Sequence, residues 1–249
     1  MKATQIMAAL GITFLFLLGA LLVVSDADAR GPPMEVERGM GKGGNMPDAR
    51  IRAVHLSPDA PAVDIWVDGS KVITDLAFGE YTGYLTVPSN KGNEYYNIQV
   101  VPTGLMSPVV IDADLRLKPN HDYTVVAIGR LADIEPLVIE DNNKGGPNMN
   151  SLVRFAHTSP DAPSVDIALQ DGPVLFSDVS FGEVEEYLEV SAGSYDLEVR
   201  LAGTETVVLS VDDVSLMKGT QYTIFATGLV SPGEGEPSLS ALLLKDRSK

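Results

Sequence analysis

A chain of 249 residues is long enough for two domains, and without a single cysteine it is excluded from disulfide bonding, thiolate metal sites and thiol catalysis. Its 34 acidic residues against 18 Lys and Arg give a formal net charge of −16, which repels nucleic acid and anionic lipid and excludes both as partners.

Residues 1–29 read as a secretory signal peptide. Lys2 supplies a minimal positive start, residues 6–24 are almost wholly apolar, and Ala27-Asp28-Ala29 offers the small residues that a signal peptidase reads. Cleavage there leaves Arg30 as the first mature residue and predicts an exported protein: periplasmic, cell-surface or extracellular. The competing reading is an uncleaved anchor, nearly long enough to span a bilayer, and only then is membrane contact expected. Residues 30–49 are rich in Gly and Pro and follow as a flexible linker.

From Arg50 the pattern turns to short strands. Val63, Ile65 and Val67 alternate with Asp64, Trp66 and Asp68, a period of two, and Asp68-Gly69 closes a hairpin. Segments 71–77, 84–87, 95–101, 109–117, 123–128 and 136–139 follow, each ending in turn residues. No sustained helical period appears. Seven or eight short strands in one such stretch is the arithmetic of a β-sandwich.

The same pattern then returns. Arg52-Ala-Val-His55-Leu-Ser57-Pro58-Asp59-Ala-Pro61-Ala-Val63-Asp64-Ile65 recurs as Arg154-Phe-Ala-His157-Thr-Ser159-Pro160-Asp161-Ala-Pro163-Ser-Val165-Asp166-Ile167. Phe78-Gly79-Glu80 matches Phe181-Gly182-Glu183, and Tyr123-Thr124 matches Tyr222-Thr223. The fold class is therefore all-β: two tandem Ig-like or fibronectin-III-like β-sandwich domains, 50–141 and 151–245, joined by a linker at 142–150. Tyr123 and Tyr222 each follow a Leu by six positions and open an apolar strand. That spacing predicts two tyrosine corners, with buried rings and hydroxyls bonded to backbone upstream.

The duplicated motif holds the groups that could do chemistry. His55, Ser57, Asp59 and Asp64, repeated as His157, Ser159, Asp161 and Asp166, offer a base, a hydroxyl and two carboxylates within ten residues. Against a nucleophile stands good turn chemistry. Ser57-Pro58-Asp59-Ala60 suits a β-turn, and Pro61 and Pro163 extend the residue before them. The expectation is a fixed corner in which Asp59 and Asp161 satisfy their own turn's amides and the histidines seal the core edge. Arg52 and Arg154 fall on the strand face opposite the histidines. The two motifs, on separate domains, are expected to lie too far apart to share a site. Glu140, Asp141, Asn142 and Asn143 form a calcium candidate of hard oxygen ligands, though the spacing matches no EF-hand loop. No cofactor is expected. Trp66 lies on the polar face of its strand, where copy two has Ala168, and is a candidate platform for sugar or protein.

These motifs, with Ser191-Ala-Gly-Ser-Tyr195-Asp-Leu-Glu-Val-Arg200 and the repeated Tyr-Thr-(Val/Ile)-x-Ala-x-Gly, resemble exported bacterial and archaeal proteins grouped as domain of unknown function 4397. The resemblance covers residues 50–244. It implies sandwich domains and a cell-envelope or extracellular location, and it brings no catalytic residues. The expected function is a non-enzymatic exported module that binds a protein or glycan partner. The alternative is a hydrolase using the His-x-Ser-Pro-Asp motif.

Overall fold

The computed structural model describes residues 23–24, 48–87, 95–141 and 149–248. Most of the expected signal peptide, the linker at 30–47 and positions 142–148 lie outside the described residues. The described chain is built from strands, with one three-residue 3-10 turn at Leu131–Asp133.

The first repeat contains β2 (Ala49–His55), β3 (Val63–Val67), β4 (Ser70–Leu76), β5 (Leu85–Val87), β6 (Tyr95–Pro102), β7 (Ile111–Arg116), β8 (Asp122–Ile128) and β9 (Glu135–Asp141). They form two four-stranded sheets, β5-β2-β8-β9 and β4-β3-β6-β7. The second repeat has the same layout: β10 (Asn150–His157), β11 (Val165–Leu169), β12 (Val174–Val179), β13 (Leu188–Ser191), β14 (Gly193–Leu201), β15 (Val207–Leu216), β16 (Thr220–Thr227) and β17 (Ser240–Ser248). Its sheets run β17-β16-β10-β13 and β12-β11-β14-β15, with a two-residue β1 (Val23–Val24) parallel to β17 at the edge of the first. Each repeat is thus a β-sandwich with one parallel pair, β2 with β8 and β10 with β16.

Period-two alternation sets each interior. Val63, Ile65 and Val67 of β3 point inward with Ile98, Val100 and Leu115, and Val165, Ile167, Leu197, Val199 and Val214 do the same in the second repeat. The predicted Asp68-Gly69 hairpin is present: both residues have positive φ, 47° and 75°, the backbone a tight primed turn requires. The corner tyrosines are buried, and the Lys118 and Met217 N–H groups donate to the Tyr123 and Tyr222 hydroxyls at 3.1 Å in both cases.

A third core joins the repeats. Val54 and Leu56, Val126 and Ile128, and Ile139 of the first repeat pack with Ala156, Phe225, Leu242 and Leu244 of the second. These residues sit on the outer faces of the β2-containing and β10-containing sheets. The molecule is therefore four sheets deep, and its two middle sheets are covered on both sides. This is why β16 is buried along its whole length.

Candidate functional site

The duplicated motif begins at the end of β2. Strand geometry turns His55 inward, and the ring is fully buried. Its Nε2 lies 3.0 Å from the Pro61 carbonyl, so Nε2 carries the proton, and Nδ1 accepts from the Ser57 N–H at 3.3 Å. In the second copy His157 Nε2 lies 3.1 Å from the Pro163 carbonyl. Burial holds both imidazoles below the ordinary histidine value, against the opposing pull of those carbonyls. Each ring is a neutral strut across its own corner. Ser57 Oγ is buried and has no hydrogen-bond partner among the described residues, and both ring nitrogens of His55 are already engaged elsewhere. The hydroxyl–base contact that a nucleophile needs is not made.

The two aspartates of each motif have different tasks. Asp64 accepts from the Asp75 N–H at 3.0 Å, the Gly104 N–H at 3.2 Å and Lys71 Nζ at 2.6 Å. Asp166 repeats this with the Asp178 and Gly203 amides at 2.7 and 2.9 Å. Asp75, Gly104 and their counterparts all sit at positive φ, so each carboxylate pins a strained bend and a hairpin turn. Asp59 and Asp161 differ from expectation. They do not cap their own turn. Asp59 accepts from the Leu131 N–H at 2.7 Å, and Asp161 from the Val230 and Ser231 N–H groups at 2.8 and 2.9 Å. The proline corner leaves its own amides few, and the loop after the seventh strand brings unpaired donors to the carboxylate. Pro58 and Pro160 therefore shape a corner whose aspartate ties a second loop to it.

The corners are also not isolated from the opposite repeat. Arg130 Nη1 stands 3.7 Å from Asp59 and 3.0 Å from Glu236 of the second repeat, and it lies within electrostatic reach of Asp161. The expectation that the two motifs lie far apart on separate domains gives way to one shared end of the molecule. The cause is the third core, which sets the two β2-type strands against each other.

Arg52 and Arg154 carry the arrangement that sequence reasoning missed. Both are buried, not solvated. Arg52 forms an ion pair with Asp246 of the second repeat, and Arg154 forms one with Asp141 of the first. The crossed pairs close the group: Arg52 to Asp141 at 3.8 Å and Arg154 to Asp246 at 3.9 Å. Each arginine Nε donates to a threonine of its own repeat, Thr124 at 2.7 Å and Thr223 at 2.8 Å. Each aspartate also accepts from a tyrosine, Tyr84 to Asp141 and Tyr187 to Asp246, both at 2.7 Å. Burial would lower the Arg52 guanidinium, but Asp246 and Asp141 outweigh it, and the group stays charged. Burial, reinforced by Asp246, pushes the Tyr187 phenol far up, so it remains a donor. The network is reciprocal between the two repeats.

Asp141 is thus committed to that network. Glu140, its neighbour on the other face of β9, accepts from Lys118 at 3.3 Å and lies 2.7 Å from His121 Nδ1. The two carboxylates of the calcium candidate point to opposite sides of one strand, and Asn142 and Asn143 lie outside the described residues. Among the described residues no group of three or more His, Cys, Asp or Glu converges as metal ligands.

Residues 49–168 and 151–249 match the model of a family described as a domain of unknown function, DUF4397. The chain belongs to that family. No curated protein matches it. In this DUF4397 chain the shared motifs map onto corners, clamps and the repeat–repeat interface. Trp66 on an outer sheet of the first repeat has no aromatic counterpart in the second, where Ala168 stands.

Proposed function

We propose that the chain is a non-enzymatic exported module, working in the periplasm, at the cell surface or outside the cell, which binds a protein or glycan partner on the outer surfaces of two rigidly joined sandwiches. The observation that carries this reading is that the imidazoles and carboxylates of the duplicated motif are bonded to backbone of the fold, while Ser57 Oγ meets no base. His55 bridges Pro61 and Ser57, Asp64 clamps two bends, and Asp59 ties a loop, so the base and the carboxylates of the motif serve the fold. The experiment pairs two measurements on the exported protein. N-terminal sequencing is expected to start at or near Arg30, and a panel of ester, glycoside and peptide substrates is expected to show no turnover. Turnover abolished by Ser57→Ala or His55→Ala in a folded variant overturns the reading in favour of the hydrolase.

A further inference from the structure

Duplication supplies an internal control. What both repeats keep holds the sandwich, and what one repeat alone displays to solvent is free to act. On the outer face of the β4-β3-β6-β7 sheet the two copies differ in chemistry. Trp66, the only tryptophan of the chain, is half-exposed there. Its in-register neighbours are Lys71 on β4 and Gln99 on β6, and Gln99 in turn faces Asp112 on β7. Two residues further along β6, Asn97 faces Asp114, and beyond it Tyr95, 54% exposed, faces Arg116.

The polar groups of this face are held in order. Asn97 Nδ2 donates to Asp112 at 2.8 Å and to Asp114 at 3.2 Å, and Gln99 Nε2 donates to Asp112 at 3.2 Å. Lys71 Nζ, fixed by Asp64, lies 5.3 Å from the Trp66 ring centroid and steadies the indole. With their N–H groups turned to the carboxylates, both amides leave their oxygens as acceptors. The surface is rich in acceptors and bounded by two aromatic rings about 13 Å apart along the strand direction. The space between Asp112 and Asp114 is bridged by the Asn97 amide hydrogens, which is unfavourable for a cation. The carboxylates and the net charge of −16 disfavour an anionic ligand.

The second repeat keeps carboxylates on this face but has neither the aromatic rings nor the amides. At the matching positions stand Ala168, Ser194, Asp196 and Glu198, and Ser210 faces Glu198. Arg200 there is occupied by Glu198 and Glu205 at 2.7 and 2.8 Å.

The geometry points to a glycan-binding face on the first repeat, made by Trp66, Tyr95, Asn97, Gln99, Asp112 and Asp114, which takes an extended, uncharged polysaccharide. The apolar face of a sugar ring stacks on the indole, and its hydroxyls donate to the ordered acceptors. Two rings set about 13 Å apart along the strand direction suit an extended, β-1,4-linked chain. This assignment rests on the binding-module reading and deepens it.

The test uses the exported chain and soluble cello-, xylo- and chito-oligosaccharides, with polygalacturonate as the acidic control. Trp66 is the sole indole, so its emission reports the site directly. A neutral oligosaccharide is expected to shift that emission saturably and to retard the protein in affinity electrophoresis. Trp66→Ala and the double variant Asn97→Ala/Gln99→Ala are expected to weaken retention at least about tenfold, as for loss of an aromatic anchor. Their melting temperatures are expected to match the parent. Retention that survives Trp66→Ala overturns this face while leaving the module reading standing. Retention without an emission change likewise overturns the face and spares the module. Retention by polygalacturonate alone, or by none of the neutral sugars, overturns the ligand class. Turnover of any of these sugars would overturn the module reading itself.

Discussion

The aspartates of the duplicated motif show how a residue's task is set by donors far along the chain. Asp161 accepts two backbone amides from the loop after β16, and Asp59 accepts one from the loop after β8. Asp59→Ala is therefore expected to cost about 0.5–1.5 kcal/mol, one hydrogen bond's worth, and Asp161→Ala roughly twice that. Thermal or urea melts of the two variants check the order; an equal loss would contradict it. The histidines give a second residue-scale expectation. Their folded values are depressed by burial, while the unfolded chain takes up protons near pH 6.5. Below that value the unfolded state binds more protons than the native state, so stability falls as the pH falls. Melting temperature is expected to decline from about pH 6.5 toward about pH 5, and to decline less in His55→Asn/His157→Asn. A parent and variant with parallel profiles would refute the assignment. The turn character of Ser57-Pro58-Asp59 was legible from residue types alone. The partner of Asp59 was not, because Leu131 is 72 positions away and no local pattern announces it.

At the scale of elements, period-two alternation located the strands, the Asp-Gly pair the hairpin, and the Leu-to-Tyr spacing the tyrosine corners. The alternation put Arg52 and Arg154 on the face opposite the histidines, where they lie, but gave no hint of their burial, since a charged residue on the face opposite a core normally meets water. A signal was available in their strand neighbours. Arg52, Val54 and Leu56 share one face, and Val126, Ile128 and Phe225 on the matching face of β8 and β16 mark strands covered on each side. The partners, Asp246 and Asp141, come from the other repeat's last strand and carry no local cue. Breaking the network is costly because it strands a buried charge. Arg52→Ala is expected to destabilise by about 3–5 kcal/mol, and Arg52→Ala/Asp246→Ala by much less than the sum of the single changes. A double-mutant cycle on denaturant midpoints measures this coupling. A coupling near zero would mean that the pair does not act as a unit.

For the whole molecule, the third core and the reciprocal ion network make the repeats one mechanical body despite two self-contained interiors. Calorimetry of the protein is expected to give a single transition with equal van't Hoff and calorimetric enthalpies. Two resolved transitions would show that the repeats unfold independently. The number of sandwiches was legible from the repeat; their embrace was not, because it depends on which outer faces are apolar. The interface has the form of a homodimer contact, each half offering one arginine and one aspartate to the other. In a true homodimer any substitution is made twice and the outer faces must stay alike. Tethered in one chain, the halves are freed from that rule everywhere except at the contact. A change at Arg52 is answered by Asp246 in the opposite repeat, so neither repeat can drift there alone. The outward sheets have no such obligation to each other, and one half can hold an indole where its twin holds a methyl group.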